Sequence, residues 1–291
     1  MRYILLLITL LLSLPTQAQE PDTTTLSVVS WNIQMLPNFF RAFSSSLRMM
    51  QGKRVPWIVE YIKSQDFDVI VFQEVFDVDC KARLRRQLKA LYPYQVKPIN
   101  QGRLTSNGIL IMSKYRMEKL GHVVYAKGVG SDKMAAKGCV LVEVKKDSAV
   151  FQIAGTHLQS GNNEAAQQHR DQQYKDIYNL LEKYRKAGIP QLVAGDMNTR
   201  KSATARYERM LKSMDVLDFP LDEAAPYTID GNNSWKSKDH EPVQLDYIFL
   251  RKNESNSSIQ TQKVLRPKKE YKGRVVDLAD HYGVWGRVLV W

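Results

Sequence analysis

Val193-Ala194-Gly195-Asp196-Met197-Asn198 is an apolar run that stops at a carboxylate, with a second polar group two residues on. A buried strand ending this way delivers polar side chains to a sheet edge, where a site can form. The pattern recurs at Val29-Ser30-Trp31-Asn32, at Val69-Ile70-Val71-Phe72-Gln73-Glu74 and at Ile153-Ala154-Gly155-Thr156-His157, and Asp280-His281 lies beside the last apolar run. So many polar islands at strand ends predict one metal-assisted active site assembled from the whole chain.

Apolar, β-branched runs at residues 26–31, 67–72, 108–112, 139–144, 149–155, 190–194, 245–250 and 284–290 predict strands, several of them buried on both faces. Residues 54–63 place Val55, Ile58, Val59 and Ile62 on one helical face, and residues 81–91 do the same with Leu84, Leu88 and Leu91. Residues 163–186 read as a long polar helix with an apolar stripe. Strands interleaved with helices at mixed spacing indicate an α/β sandwich. Residues 222–244, rich in Asn, Asp, Lys and Pro, predict a long loop of the kind that carries function, and residues 251–259 a mobile turn.

Arg2, the apolar run 3–14 and the exit Pro15-Thr16-Gln17-Ala18 have the layout of a signal peptide cut after Ala18, so a secreted or periplasmic protein is expected. The run is shorter than the roughly 20 apolar residues a bilayer-spanning helix needs. Residues 19–291 show no Pro/Gly/Ser-rich linker and are expected to form a single domain. Cys80 and Cys139 can pair or can remain two buried thiols. The net charge is +12, with basic clusters at residues 81–89 and 266–274. That surface suits polyanions or anionic lipid, or is simply a solvated basic face.

Asp and Glu with Asn, and no Cys or multi-His set, make an oxygen-rich ligand field that suits Mg²⁺ or Mn²⁺, with Co²⁺ a further substitute, better than zinc. Glu74 is the leading metal ligand, since a carboxylate at the mouth of a buried strand is costly without a cation or donor. Asn32 can ligate a metal and donate a hydrogen bond. Asp196 can position or deprotonate a nucleophile, while Asn198 can donate to a phosphoryl oxygen, and Gly195 lets the backbone approach closely. His281 is the candidate general base, with Asp246 of Leu245-Asp246-Tyr247 as the carboxylate that fixes its tautomer. His157 can donate to charge developing on phosphorus. Together these parts describe in-line attack of water on a phosphoester, with no group suggesting a covalent phosphoenzyme.

Asn32, Gln73-Glu74, Thr156-His157, Gly195-Asp196-Met197-Asn198, Leu245-Asp246-Tyr247 and Asp280-His281, in this order, resemble the signature of the endonuclease/exonuclease/phosphatase superfamily, to which DNase I also belongs. Gln73 to Asp77, Asn107-Gly108, Lys137-Gly138 after Ser131-Asp132-Lys133, Thr156 to Gln159, Pro226-Tyr227-Thr228 and Asn232-Asn233-Ser234 are similar to the secreted neutral sphingomyelinase branch. The resemblance implies a four-layer sandwich of two mixed β-sheets packed face to face and flanked by helices. It implies a Mg²⁺-dependent phosphodiesterase that cleaves sphingomyelin, or a related phospholipid, to ceramide and phosphocholine at a membrane surface. By the same carry-over Glu74 holds the main metal, with Asn32, Asp196, Asn198, Asp280 and His281 around the phosphate and a second metal. No protein partner is implied and a monomer is expected.

Two departures from the family stand out. Ala279-Asp280-His281-Tyr282-Gly283 lacks the family's Ser and Pro, and residues 264–280 are short and basic, with Tyr271 as their single aromatic, where the family carries a hairpin with exposed aromatics. The basic cluster is expected to meet anionic lipid instead. A secreted DNase I-like endonuclease acting on nucleic acid is the alternative that the charge favours, and a non-catalytic binding module is the third, against which the intact acids and histidines speak.

Overall fold

In the computed structural model, which describes residues 23–37, 50–252 and 256–291, the apolar runs pair into two sheets of six strands each. The expected signal segment lies outside the described residues. The first sheet holds β1 (Thr24–Met35), β2 (Val69–Val75), β3 (Tyr94–Val96), β4 (Leu110–Ser113), β11 (Ser257–Leu265) and β14 (Gly283–Val290) in the order β11-β14-β1-β2-β4-β3. The second holds β5 (Arg116–Val124), β6 (Gly138–Lys146), β7 (Ala149–His157), β8 (Gln191–Asp196), β9 (Val216–Leu217) and β10 (Asp246–Arg251) in the order β5-β6-β7-β8-β10-β9. Both sheets are mixed, since β1 with β2 and β7 with β8 run parallel while the other neighbours run antiparallel.

Each central strand buries both faces, which explains the continuous apolar runs. Val28, Val69, Val71 and Ile111 from the first sheet meet Val140, Val142, Ile153 and Ala194 from the second. The first sheet's other face packs on α1 (Gln51–Lys63) and α2 (Val78–Leu88) through Val55, Ile58, Ile62, Leu84 and Leu88. The second sheet's outer face packs on α3 (Glu164–Lys183) and α4 (Thr204–Met214) through Tyr174, Ile177, Leu181, Met210 and Met214. The result is the four-layer sandwich. Asp77 starts α2 by accepting from Cys80 N at 2.8 Å, and Asn163 starts α3 by accepting from Ala166 N at 2.9 Å. Cys80 and Cys139 are free, buried thiols, one on helix α2 and the other on strand β6, in the two different sheet–helix cores.

Three expectations change. Residues 257–259 belong to β11, not to a turn, because they pair with Leu289 and its neighbours on β14. The segment 264–280, expected to lack the family's hairpin, forms one from β12 (Lys268–Tyr271) and β13 (Arg274–Asp277). Lys272 and Gly273 turn it with positive φ of 52° and 70°, the conformation a tight two-residue hairpin turn requires. Its tip carries lysine rather than a cluster of aromatics, and Tyr271 stacks back on Trp57 with ring centroids 5.4 Å apart. Edge strand β5 and helix α4 are additions that no apolar run announced.

Arg54 of α1 ties three segments together at the base of the site. Its guanidinium donates to Ile33 O at 2.8 Å, Gln34 O at 2.7 Å and Leu278 O at 2.9 Å, and burial lowers its pKa to about 10. Arg54→Met keeps the volume but strands those carbonyls, and is expected to lower stability by about 3 kcal/mol in urea-unfolding midpoints.

Candidate active site

Because β2 runs parallel to β1, and β8 parallel to β7, the carboxyl-terminal ends of these strands share one rim of the sandwich. In register, His157 pairs with Asp196 and Asp196 with Asp246, the first residue of antiparallel β10. Glu74 ends the apolar part of β2 beside Asn32, and His281 lies two residues before the start of β14. All the residues singled out in the sequence therefore meet at one edge, Asn32, Glu74, Asp280 and His281 from the first sheet and its flank, His157, Asp196, Asn198 and Asp246 from the second. They border an open cleft of about 270 Å³ whose wall includes Glu74, Lys137, His157, Asp196, Asn198 and His281. Asn32, Asp246 and Asp280 stand behind this wall.

The backbone is strained where these residues sit. Gln34, Glu74 and Asn198 have left-handed φ of 46°, 57° and 48°, a conformation that costs a non-glycine residue about 1 kcal/mol or more and clusters at functional sites. Gly195 is needed for a different reason. A Cβ there would lie 2.1 Å from Thr156 O, so β8 could not pack against β7 with any other residue.

Asn32 stitches the two sheets together. Its amide nitrogen donates to Glu74 Oε1 at 3.0 Å and to Asp196 Oδ2 at 3.1 Å, and its Oδ1 accepts from Gln34 N at 3.1 Å. Asp196 Oδ1 accepts from Asn198 N at 2.9 Å, while Asn198 donates its side-chain amide to Leu158 O at 3.1 Å. His281 Nδ1 bonds Asp246 Oδ2 at 2.9 Å and lies 3.8 Å from Asp196 Oδ2, and its carbonyl accepts from Trp31 Nε1 at 3.0 Å. Asp246 is fully buried, so the ring is held by a carboxylate that water does not reach.

These charges perturb one another. Burial raises the Glu74 carboxyl to about 7, helped by Asp280 and opposed by Asn32. Burial alone would lower His281, but Asp246 and Asp196 outweigh it and raise the imidazole to about 10. Burial would raise Asp280 too, yet His281, Lys236 and Arg54 hold it below the ordinary carboxylate value. His157 is pushed down to about 3 by burial and by Lys137, so its ring is neutral. Lys137 donates to Asp132 Oδ2 at 2.8 Å and Leu158 O at 2.7 Å, and a lysine ammonium only donates, so His157 Nε2, 3.1 Å away, is its acceptor. The proton of His157 then sits on Nδ1, which is buried without a partner among the described residues.

The donor set fits a divalent cation. Asp196, Asp246 and His281 offer ligand atoms within 4.8 Å of one another, although His281 Nδ1 is already committed to Asp246. Glu74 and Asp196 offer a second set of oxygens, since Glu74 Oε1 and Asp196 Oδ2 share the same Asn32 amide. Asp246 Oδ1 and Asp280 Oδ1 are buried acceptors without hydrogen-bond partners among the described residues.

Lys137, Asp132, Gln34, Lys236 and Arg54 also belong to the site, although nothing in their local runs marks them with a role. The loop at 222–244 supplies scaffolding as well: Thr228 Oγ1 accepts from Leu245 N at 3.0 Å, and Asn233 donates to Ala279 O at 3.0 Å. Asn107 Oδ1 accepts from Ile99 N and Ile109 N at 2.9 and 3.1 Å. Gly108, with a φ of 70°, makes room for Phe76 on the cleft wall.

Similarity to known proteins agrees with this geometry. A sphingomyelinase C 2 of Leptospira interrogans is 29% identical over 294 residues, which cover 90% of this chain and 46% of that protein. The chain spans about half the length of the two Leptospira relatives it matches. A sphingomyelinase C of Bacillus cereus is 28% identical over 313 residues, covering 94% of this chain and 91% of the relative. Among solved structures, a double mutant of beta toxin from Staphylococcus aureus with bound magnesium ions superposes with a TM-score of 0.80 at 26% identity, covering 90% of this chain and 99% of that one. The model of the Endonuclease/Exonuclease/phosphatase family matches residues 29–281, from the strand that carries Asn32 to His281 itself, and the chain belongs to that family.

Proposed function

We propose that this protein is a Mg²⁺-dependent phosphodiesterase that hydrolyses sphingomyelin, or a closely related phospholipid, to ceramide and phosphocholine. The observation that carries the reading is the convergence of Glu74, Asp196 and an Asp246-held His281 on one cleft, in a chain similar along nearly its whole length to sphingomyelinase C. Glu74, with Asn32, Asp196, Asn198, Asp280 and His281 around it, would hold Mg²⁺, which would neutralise charge at the phosphate oxygens. The residues of the chain do the rest. With Nδ1 fixed by Asp246, His281 presents Nε2 to a water and removes its proton as the water oxygen bonds to phosphorus and the bond from phosphorus to the ceramide oxygen breaks, the departing alkoxide taking a proton from solvent. Asp196 stands beside that water's path, and Asn198 and the Lys137 ammonium bring an amide and a positive charge to the cleft wall.

The lipid substrate is met at a membrane surface by a secreted or periplasmic monomer, with residues 1–18 as its signal peptide. A paired assay tests the substrate class. Purified residues 19–291 with Mg²⁺ are expected to release phosphocholine from sphingomyelin vesicles and to leave supercoiled plasmid intact. Nicked plasmid with untouched sphingomyelin would make the chain a nuclease, the reading its +12 charge favours.

A further inference from the structure

Asp280 is gripped on one side only. Gln34 Nε2 and Lys236 Nζ both donate to Oδ2, each at 2.9 Å, while Oδ1 is buried with no hydrogen-bond partner among the described residues. Neither donor is an ordinary mobile side chain. Gln34 has a left-handed backbone, with its carbonyl held by Arg54 and its N–H by Asn32. Lys236 is only 21% exposed, and the three residues that precede it are tied to the segment leading into Asp280. Asn233 donates to Ala279 O at 3.0 Å, Ser234 N donates to Asp277 Oδ2 at 2.7 Å, and Ser234 Oγ accepts from Asp277 N at 2.8 Å. Trp235 Nε1 adds a bond to Asp277 O at 2.8 Å. Asp277 is the last residue of β13, so the base of the hairpin, the Lys236 loop and Asp280 form one connected unit.

We propose that Gln34 and Lys236 are positioning residues that clamp one oxygen of Asp280, fixing the other as its single free acceptor inside the site. Lys236 has a second task as the counter-charge that moderates the pull of the acidic cluster on a divalent cation. The two donors therefore separate orientation from charge, since Gln34 contributes only the first and Lys236 contributes both. This deepens the phosphodiesterase reading and rests on it for turnover, while its cation arm needs no substrate.

The test uses the protein from residue 19 onward, with Lys236→Met, Lys236→Arg and Gln34→Leu variants. Phosphocholine release is read as kcat and KM, and MgCl₂ alone is titrated by thermal shift. Lys236→Met is expected to lose roughly 10-fold to 100-fold in kcat with little change in KM, the scale of losing a residue that orients a site ligand. It is also expected to bind Mg²⁺ roughly threefold to tenfold more tightly, because a unit positive charge has left the cluster. Lys236→Arg restores most of both properties. Gln34→Leu lowers kcat without changing Mg²⁺ affinity. A general loss of structure would weaken Mg²⁺ binding along with turnover. Weaker binding in Lys236→Met, or a kcat within about twofold of the parent, would overturn the clamp. A parent protein that releases no phosphocholine would instead sink the functional reading, and the Mg²⁺ titration would then decide the clamp alone.

Discussion

Glu74→Gln is expected to reduce phosphocholine release by at least about 10³-fold, the loss that follows when a site can no longer stabilise developing oxyanion charge. The variant keeps the shape of the residue and an acceptor for the Asn32 amide that Glu74 receives at 3.0 Å, so what it loses is charge. The stability change should have the opposite sign. In the metal-free fold the Glu74 carboxyl titrates near 7 instead of 4.5, chiefly because of burial and then because of Asp280. Between these values the folded chain keeps a proton that the unfolded chain has released, so stability falls as pH rises, by up to about 3 kcal/mol, and stays lower above pH 7. The glutamine variant escapes that penalty. Without metal it should unfold later than the parent above pH 7 and match it below pH 4.5, and added Mg²⁺ should stabilise only the parent. Unfolding midpoints across pH, with and without MgCl₂, measure all of this, and an equal Mg²⁺ shift in both proteins would place the cation elsewhere.

His281→Ala is expected to cost about 10³-fold to 10⁴-fold in kcat, the share of a general base, and here stability falls with activity. Asp246 and Asp196 lift the metal-free imidazole to about 10 against the effect of burial. A histidine raised in this way stabilises the fold fully below the unfolded value of 6.5, and the contribution is lost as pH rises through about 10. Removing it at pH 7 leaves Asp246, which is fully buried, without its partner. The two variants thus share an inactive phenotype but move the unfolding midpoint in opposite directions at pH 8. The same values bear on the rate profile. In the metal-free chain His281 is protonated at neutral pH, and a cation sharing its carboxylates relaxes that hold, so the acid limb of kcat/KM should follow a value well below 10. His281→Ala with an intact rate would remove the histidine from the chemistry.

The site was legible wherever a residue's meaning lies in its local run. Glu74 and Asp196 each end an apolar strand, and a carboxylate in that place has few roles, so strand ends alone led to the rim where the sheets meet. The pairing of Asp246 with His281 followed from the chemistry a base needs, and the bond between them is 2.9 Å. Lys137, Lys236 and Arg54 were not legible in this way. A lysine or arginine in a polar stretch reads as a solvated charge, and only the folded packing puts Lys236 on Asp280 and Arg54 under the end of β1. Edge elements escaped notice for a related reason. β5, β12 and β13 expose much of their length, so their sequences are polar and lack the apolar runs that gave away the central strands. The hairpin turn at Lys272-Gly273 carried a real signal in its glycine, but the basic composition around it outweighed that signal.

The proposed reaction requires water to attack phosphorus in a cleft that holds a divalent cation. Incubating the protein from residue 19 onward with sphingomyelin vesicles in ¹⁸O-water, and weighing the released phosphocholine by mass spectrometry, tests this directly. The predicted result is one ¹⁸O in each phosphocholine formed with Mg²⁺ and no release in EDTA, because the new bond joins the water oxygen to phosphorus. Unlabelled phosphocholine, free choline, or release that ignores EDTA would contradict it.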